Sequence, residues 1–128
     1  MEYFFTKTLT DSFENAIQKV TEGLKGEGFG ILTEIDLKAT FKKKLDVDFY
    51  NYRILGACNP SFAYKALLEE DKIGTMLPCN VIVQEKVPGQ IEVSAVDPAA
   101  SMMAVENKGL AEVASEVRSR LQRVIAKL

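Results

Sequence analysis

Two cysteines in a chain without histidine are the residues best suited to chemistry. Cys58 and Cys79 lie 21 positions apart, and each is next to an asparagine and close to a proline, in the segments Gly56–Pro60 and Leu77–Asn80. Thiols serve as nucleophiles, soft-metal ligands, redox groups and ordinary small apolar side chains. The two segments therefore mark a candidate site without dictating its reaction.

The lack of histidine narrows the choice of reaction. None of the 128 residues is histidine, which is the commonest metal ligand and the usual proton-transfer group near neutral pH. A Ser-His-Asp or Cys-His mechanism within this chain is therefore excluded. A thiol-dependent enzyme would need another base, and Glu85, Asp97 or a lysine is a poor substitute.

The surroundings of Cys58 favour a reactive thiol. A strand is expected to end at Cys58, and a helix to follow with Asn59 as its N-cap and Pro60 in its first position. The positive end of a helix dipole lowers the pKa of a nearby thiol. Cys58 is thus the preferred nucleophile if the protein is an enzyme. Cys79 is expected to open a later strand, and the connecting segment is long enough for the chain to return to Cys58.

A soft metal ion is another possible partner of the cysteines. Met102 and Met103 could add two thioethers to the thiols of Cys58 and Cys79, and sulfur ligands without imidazole suit copper(I). Zinc is the second choice, because it would need two further ligands. In the plainest alternative, both cysteines are small apolar core residues and the methionines fill gaps.

Hydrophobic periodicity predicts the elements that must position these residues. Apolar residues three and four apart predict helices, and alternating β-branched or aromatic residues predict strands. Leu45 and Leu67 are expected on buried helix faces. The predicted strands cover residues 2–8, 30–36, 49–57, 81–85 and 91–96, and the predicted helices cover residues 11–25, 38–45, 61–71 and 108–127.

These elements predict the fold class. We expect a single α+β domain over residues 1–128, with a mainly antiparallel sheet of about five strands covered by about four helices. The first and last helices are expected to pack on one face of this sheet.

Composition argues against two classes of partner. A net charge of −2 and a pI near 5.2 give no general attraction to nucleic acid. No apolar run approaches the roughly 20 residues of a membrane-spanning helix, and the first residues lack the pattern of a signal peptide. We therefore expect a cytoplasmic protein with reduced thiols that binds neither nucleic acid nor a membrane.

Several segments together resemble the family called domain of unknown function 302. They are Ile35–Thr40, Tyr52–Pro60, Ala66–Leu67, Leu77–Val83 and Ala95–Pro98. The resemblance implies a compact, dimeric α+β domain with a mainly antiparallel sheet, and no established activity or cofactor. It also implies a site, without a role, at Cys58, Asn59, Pro60, Pro78, Cys79, Asn80, Asp97 and Pro98.

The expected function is a non-enzymatic binding or sensing module that acts as a homodimer. Its ligand-binding residues are predicted to be Cys58, Asn59, Cys79, Asn80 and Asp97, with Cys58 and Cys79 as the ligands if a copper or zinc ion is bound. A thiol-dependent enzyme and a purely structural dimerisation domain remain as alternatives, so the sequence leaves open whether the protein is an enzyme.

Overall fold

The sheet and its helices are those of an α+β domain. The computed structural model describes residues 2–128, so Met1 of the predicted domain lies outside the described residues. This part of the chain forms one antiparallel sheet of order β1-β5-β4-β3-β2. Its strands are β1 (Phe4–Thr10), β2 (Gly30–Asp36), β3 (Asn51–Cys58), β4 (Cys79–Val87) and β5 (Gln90–Val96). The predicted fold class is confirmed.

The helices connect the strands and follow the last one. They are α1 (Phe13–Gly26), α2 (Leu37–Leu45), α3 (Pro60–Glu69), α4 (Pro98–Ser101) and α5 (Lys108–Ala126), and a 3-10 helix (Asp71–Met76) follows α3. Among the described residues, no helix is both long and apolar enough to cross a membrane.

The core lies between the sheet and the pair α1 and α5. Alternate residues of each strand point to the same face of a sheet, and on β4 Val81 and Val83 face the helices. There they join Val20 and Leu24 of α1 and Leu121 of α5, all completely buried. The long first and last helices thus pack on one face, as predicted.

Some helical residues lie differently from the prediction. Leu67 is 42% exposed and Leu45 is 66% exposed, although both were expected on buried faces. On α3 the buried residue is Ala66, and the next residue of a helix points about 100° away. Leu67 therefore turns towards solvent. The hydrophobic period indicated a helix correctly but did not show how narrow its buried stripe is.

Candidate thiol-lined site

A small apolar cavity lies where the ends of β3 and β4 meet α3 and α5. Its volume is about 40 Å³. The sheet contributes Ala57, Cys58 and Cys79, and the helices contribute Phe62, Ala63 and Ala66 from α3 and Leu110, Val113, Ala114 and Val117 from α5; Phe29, Asn59, Leu77, Pro78, Pro98 and Met102 complete the lining. The cavity therefore joins segments from most of the chain.

The strand pairing explains how two distant cysteines reach one cavity. β3 and β4 are antiparallel neighbours, and Ala57 of β3 lies directly opposite Cys79 of β4. Cys58 is the last residue of β3, one position beyond this pair. In a regular ladder its side chain would face away from Cys79, but β3 ends at Cys58. Cys79 is buried and Cys58 is half-buried, and both are free thiols. Both residues line the cavity.

Burial raises the pKa of both thiols. Removal from water raises the pKa of Cys79 from 9.0 to about 11, and repulsion from Cys58 adds to the effect. Burial likewise raises the pKa of Cys58. The start of α3 was expected to lower the pKa of Cys58, but burial raises it instead, because lost hydration disfavours the thiolate. Both thiols are protonated at neutral pH.

One of the two methionines belongs to this cavity. Met102 follows α4, is only 9% exposed, and lines the cavity together with the cysteines. Met103 is 60% exposed and borders a separate depression. Three of the four sulfur residues expected together therefore share one cavity. Within residues 2–128, no group of three or more histidine, cysteine, aspartate or glutamate side chains is placed to hold a metal ion.

Asn59 occupies the N-cap position of α3 as predicted, with Pro60 as the first helical residue, but its side chain does not cap the helix. Among residues 2–128, the Asn59 side chain makes no capping hydrogen bond to α3. Its Nδ2 instead donates to the backbone oxygen of Glu27 at 3.4 Å. The side chain thus lies against the turn after α1, where Gly28 has a φ of +88° and a Cβ would come within 2.8 Å of Asn59 Nδ2. Asn59 lines the cavity while joining α3 to this turn.

Asn80 and Asp97 lie apart from the cysteine cavity. Asn80 follows Cys79 on β4, and side chains alternate along a strand, so it borders a groove on the opposite face of the sheet. Asp97 is the N-cap of α4, where its Oδ1 accepts from the Ala99 amide at 3.0 Å and its Oδ2 from Arg118 Nε at 3.1 Å. These contacts give Asp97 a structural role.

Comparison with known proteins agrees with this architecture. The family model "Domain of unknown function DUF302" matches residues 5–128. The chain belongs to the DUF302 family. A solved structure of an uncharacterized conserved DUF302 protein from Bacillus stearothermophilus is 26% identical, with a TM-score of 0.91 over 99% of this chain and 98% of that one. A search of curated proteins finds no match.

The ring of Phe62 forms part of the cavity wall in this DUF302 domain. Phe62 of α3 lines the cavity, and the cationic groups of Arg120 and Lys65 lie 5.1 Å and 5.6 Å from its ring centroid. Cations at these distances are attracted to the face of an aromatic ring. Phe62 therefore lines the cavity and also contacts two cationic side chains.

The α5 wall was predicted as an apolar helix face but not as part of a site. Leu110, Val113 and Val117 are spaced three and four residues apart in the predicted last helix, and all three line the cavity. Periodicity identifies which residues share a face, whereas the partner of that face depends on tertiary packing. Phe29, which follows the Gly28 turn, carried no signal that linked it to the cysteines.

Proposed function

We propose that this DUF302 domain is a non-enzymatic binding or sensing module whose ligand occupies the cavity lined by Cys58, Cys79 and Met102. One observation carries the proposal: three sulfur residues from three separate parts of the sequence line a single cavity. Pockets with apolar walls and a few convergent polar groups are the usual form of a small-ligand site. Here the sulfur atoms are the groups that would recognise the ligand.

The size of the cavity favours a very small ligand. Its volume of about 40 Å³ is well below the roughly 150 Å³ of an apolar cavity that holds benzene. A single soft ion fits this limit better than an organic molecule does. Two thiols and a thioether favour copper(I) among the soft ions, and zinc would need further ligands. Copper(I) is therefore the ligand to test first.

Copper(I) binding requires two changes at the site. The Cys58 and Cys79 sulfurs must converge on the ion, and the half-buried Cys58 at the end of β3 is the side chain better placed to turn. Both thiols must also lose their protons, because the thiolate is the ligand. Copper uptake is therefore expected to release protons and to strengthen as the pH rises.

The state of the thiols weighs against an enzyme. A nucleophilic cysteine acts as a thiolate, whereas burial raises the pKa of both Cys79 and Cys58. If the cavity binds no ligand, the structural alternative applies, in which the cysteines serve only as packing residues. The proposal also includes a homodimer in a reducing, cytoplasmic compartment, where the two thiols stay free.

Titration with copper(I) under anaerobic conditions tests the proposal. Competition with a chromogenic chelator measures the affinity of the wild type and of a Cys58→Ala, Cys79→Ala double variant. We expect about one tight copper ion per chain in the wild type and an affinity at least tenfold to a hundredfold lower in the double variant. Met103→Leu is the matched control, because this exposed methionine lies outside the cavity, and it should bind like the wild type.

Two results would contradict copper binding in the cavity. Equal affinity of the wild type and the double variant would place the copper elsewhere. If Met103→Leu lowers the copper(I) affinity as much as Met102→Leu does, the cavity does not select between the two thioethers.

A further inference from the structure

The sheet face opposite α1 and α5 carries a row of isoleucines. The pairing places Ile35 of β2 opposite Ile54 of β3, and Ile54 opposite Ile82 of β4. Ser94 and Thr6 continue the same row across β5 and β1. Ile35 is 45% exposed. This apolar row runs from the edge strand β2 to the central strand β4, and such an exposed apolar surface gains stability when another surface covers it.

Two pairs of polar side chains on this face are joined by hydrogen bonds. Ser94 Oγ donates to Thr6 Oγ1 at 3.0 Å, and Gln84 Nε2 donates to the Tyr50 hydroxyl at 3.4 Å. Ser94 and Gln84 are only 6% and 9% exposed. Burying a polar group costs little free energy when its hydrogen bond is already made within the protein. Ser94 and Gln84 can therefore be covered by another surface at low cost.

Charge and area on this face suit a second copy of the chain. Glu92 and Lys86 are paired at 4.0 Å, so two identical faces would meet without strong like-charge repulsion. Five strands spaced about 4.8 Å apart, each of about seven residues at 3.3 Å, cover roughly 500 Å². Two such faces bury about 1,000 Å² together, which is the lower limit expected of a specific interface.

We infer that this face, centred on Ile35, Ile54 and Ile82, pairs with the same face of a second copy around a two-fold axis. Homodimers most often use such an isologous interface, in which one patch meets itself. The inference specifies the surface of the homodimer in the proposed function, and it does not depend on what the cysteine cavity binds. Aromatic side chains of Phe49 and Tyr50, stacked 4.0 Å apart, flank one end of the face.

Sedimentation equilibrium of the full chain tests this interface. We expect a dimer for the wild type, and a dissociation constant at least about tenfold higher for Ile82→Lys, because a buried lysine at the centre would be unpaired. Ile35→Lys, at a more exposed position, is a second variant in case Ile82→Lys disturbs folding. Leu68→Lys is the matched control: Leu68 is 69% exposed on α3, away from this face, and its variant should dimerise like the wild type.

Other results would overturn the inference. A monomeric wild type at every concentration would show that the face is free or binds a different protein. A dimer that survives both isoleucine variants, or that Leu68→Lys weakens equally, would place the interface elsewhere. Copper(I) affinity of Ile82→Lys should equal that of the wild type, so failure of the dimer and failure of the cavity are distinguishable.

Discussion

Burial determines the chemistry of Cys79 more than its neighbours in sequence do. Its thiol is 8% exposed at the start of β4, and removal from water raises its pKa to about 11. Pro78 and Asn80 flank Cys79 in the sequence and suggested a motif, but the Asn80 side chain lies on the other face of the sheet. The reactive form of Cys79 is therefore rare at neutral pH unless a ligand displaces its proton.

The raised pKa of Cys79 predicts a pH dependence of stability. The folded state holds this proton more tightly than the unfolded chain, whose thiol titrates near 9.0. The stabilisation is complete below pH 9 and is lost as the pH rises towards the folded pKa, by about 2 kcal/mol at pH 11. Urea unfolding of the wild type and of Cys79→Ala should therefore give free-energy differences that shrink by this amount between pH 8 and pH 11.

The Cys79→Ala comparison removes the contributions of lysines and tyrosines that titrate in the same range. A difference between the two proteins that stays constant from pH 8 to pH 11 would show that the Cys79 thiol is not buried as described.

The approach of β2 and Pro78 to β3 depends on a glycine. The register shift between Ile31 and Thr33 brings Thr33 opposite Gly56. A Cβ on Gly56 would collide with Thr33 Oγ1 and lie 2.8 Å from Pro78 Cγ. Pro78 precedes Cys79, so the space left by this glycine helps to set where β4 begins beside the cavity.

Gly56→Ala should therefore destabilise the fold. Overpacking of this kind costs about 1 to 3 kcal/mol in the free energy of unfolding, measured by chemical denaturation. Adding Thr33→Ala should recover part of the loss, because it removes the colliding hydroxyl. Gly30→Ala is the control, since nothing in the described chain lies within 4 Å of the added Cβ. A Gly56→Ala protein as stable as Gly30→Ala would contradict the close approach.

At the scale of the whole molecule, the sequence was sufficient for the architecture. Alternation and helical periodicity predicted all the long elements, and the structure has a strand over the predicted residues, Gly30–Asp36. The short helix α4 was not predicted, because its four residues are too few to show a hydrophobic period. Leu45 and Leu67 were predicted to be buried but are exposed, because the width of the buried stripe on a helix depends on what packs against it.

The candidate site was predictable only in part. Sequence spacing showed that Cys79 could return to Cys58, but the β3–β4 register that places Cys79 opposite Ala57, next to Cys58, comes from pairing across the whole ladder. Asn59 and Asp97 were identified as candidate ligands from their residue type. Their hydrogen bonds to the turn after α1 and to Arg118 depend on contacts distant in sequence, which a single chain does not reveal.

X-ray absorption spectroscopy of the copper(I)-loaded wild type tests the central claim most directly. If Cys58, Cys79 and Met102 form one ligand site, the nearest neighbours of copper will be sulfur atoms alone, and the Cys58→Ala, Cys79→Ala variant will lose this sulfur shell. Nitrogen or oxygen neighbours in the wild type, or an unchanged sulfur shell in the variant, would contradict the claim.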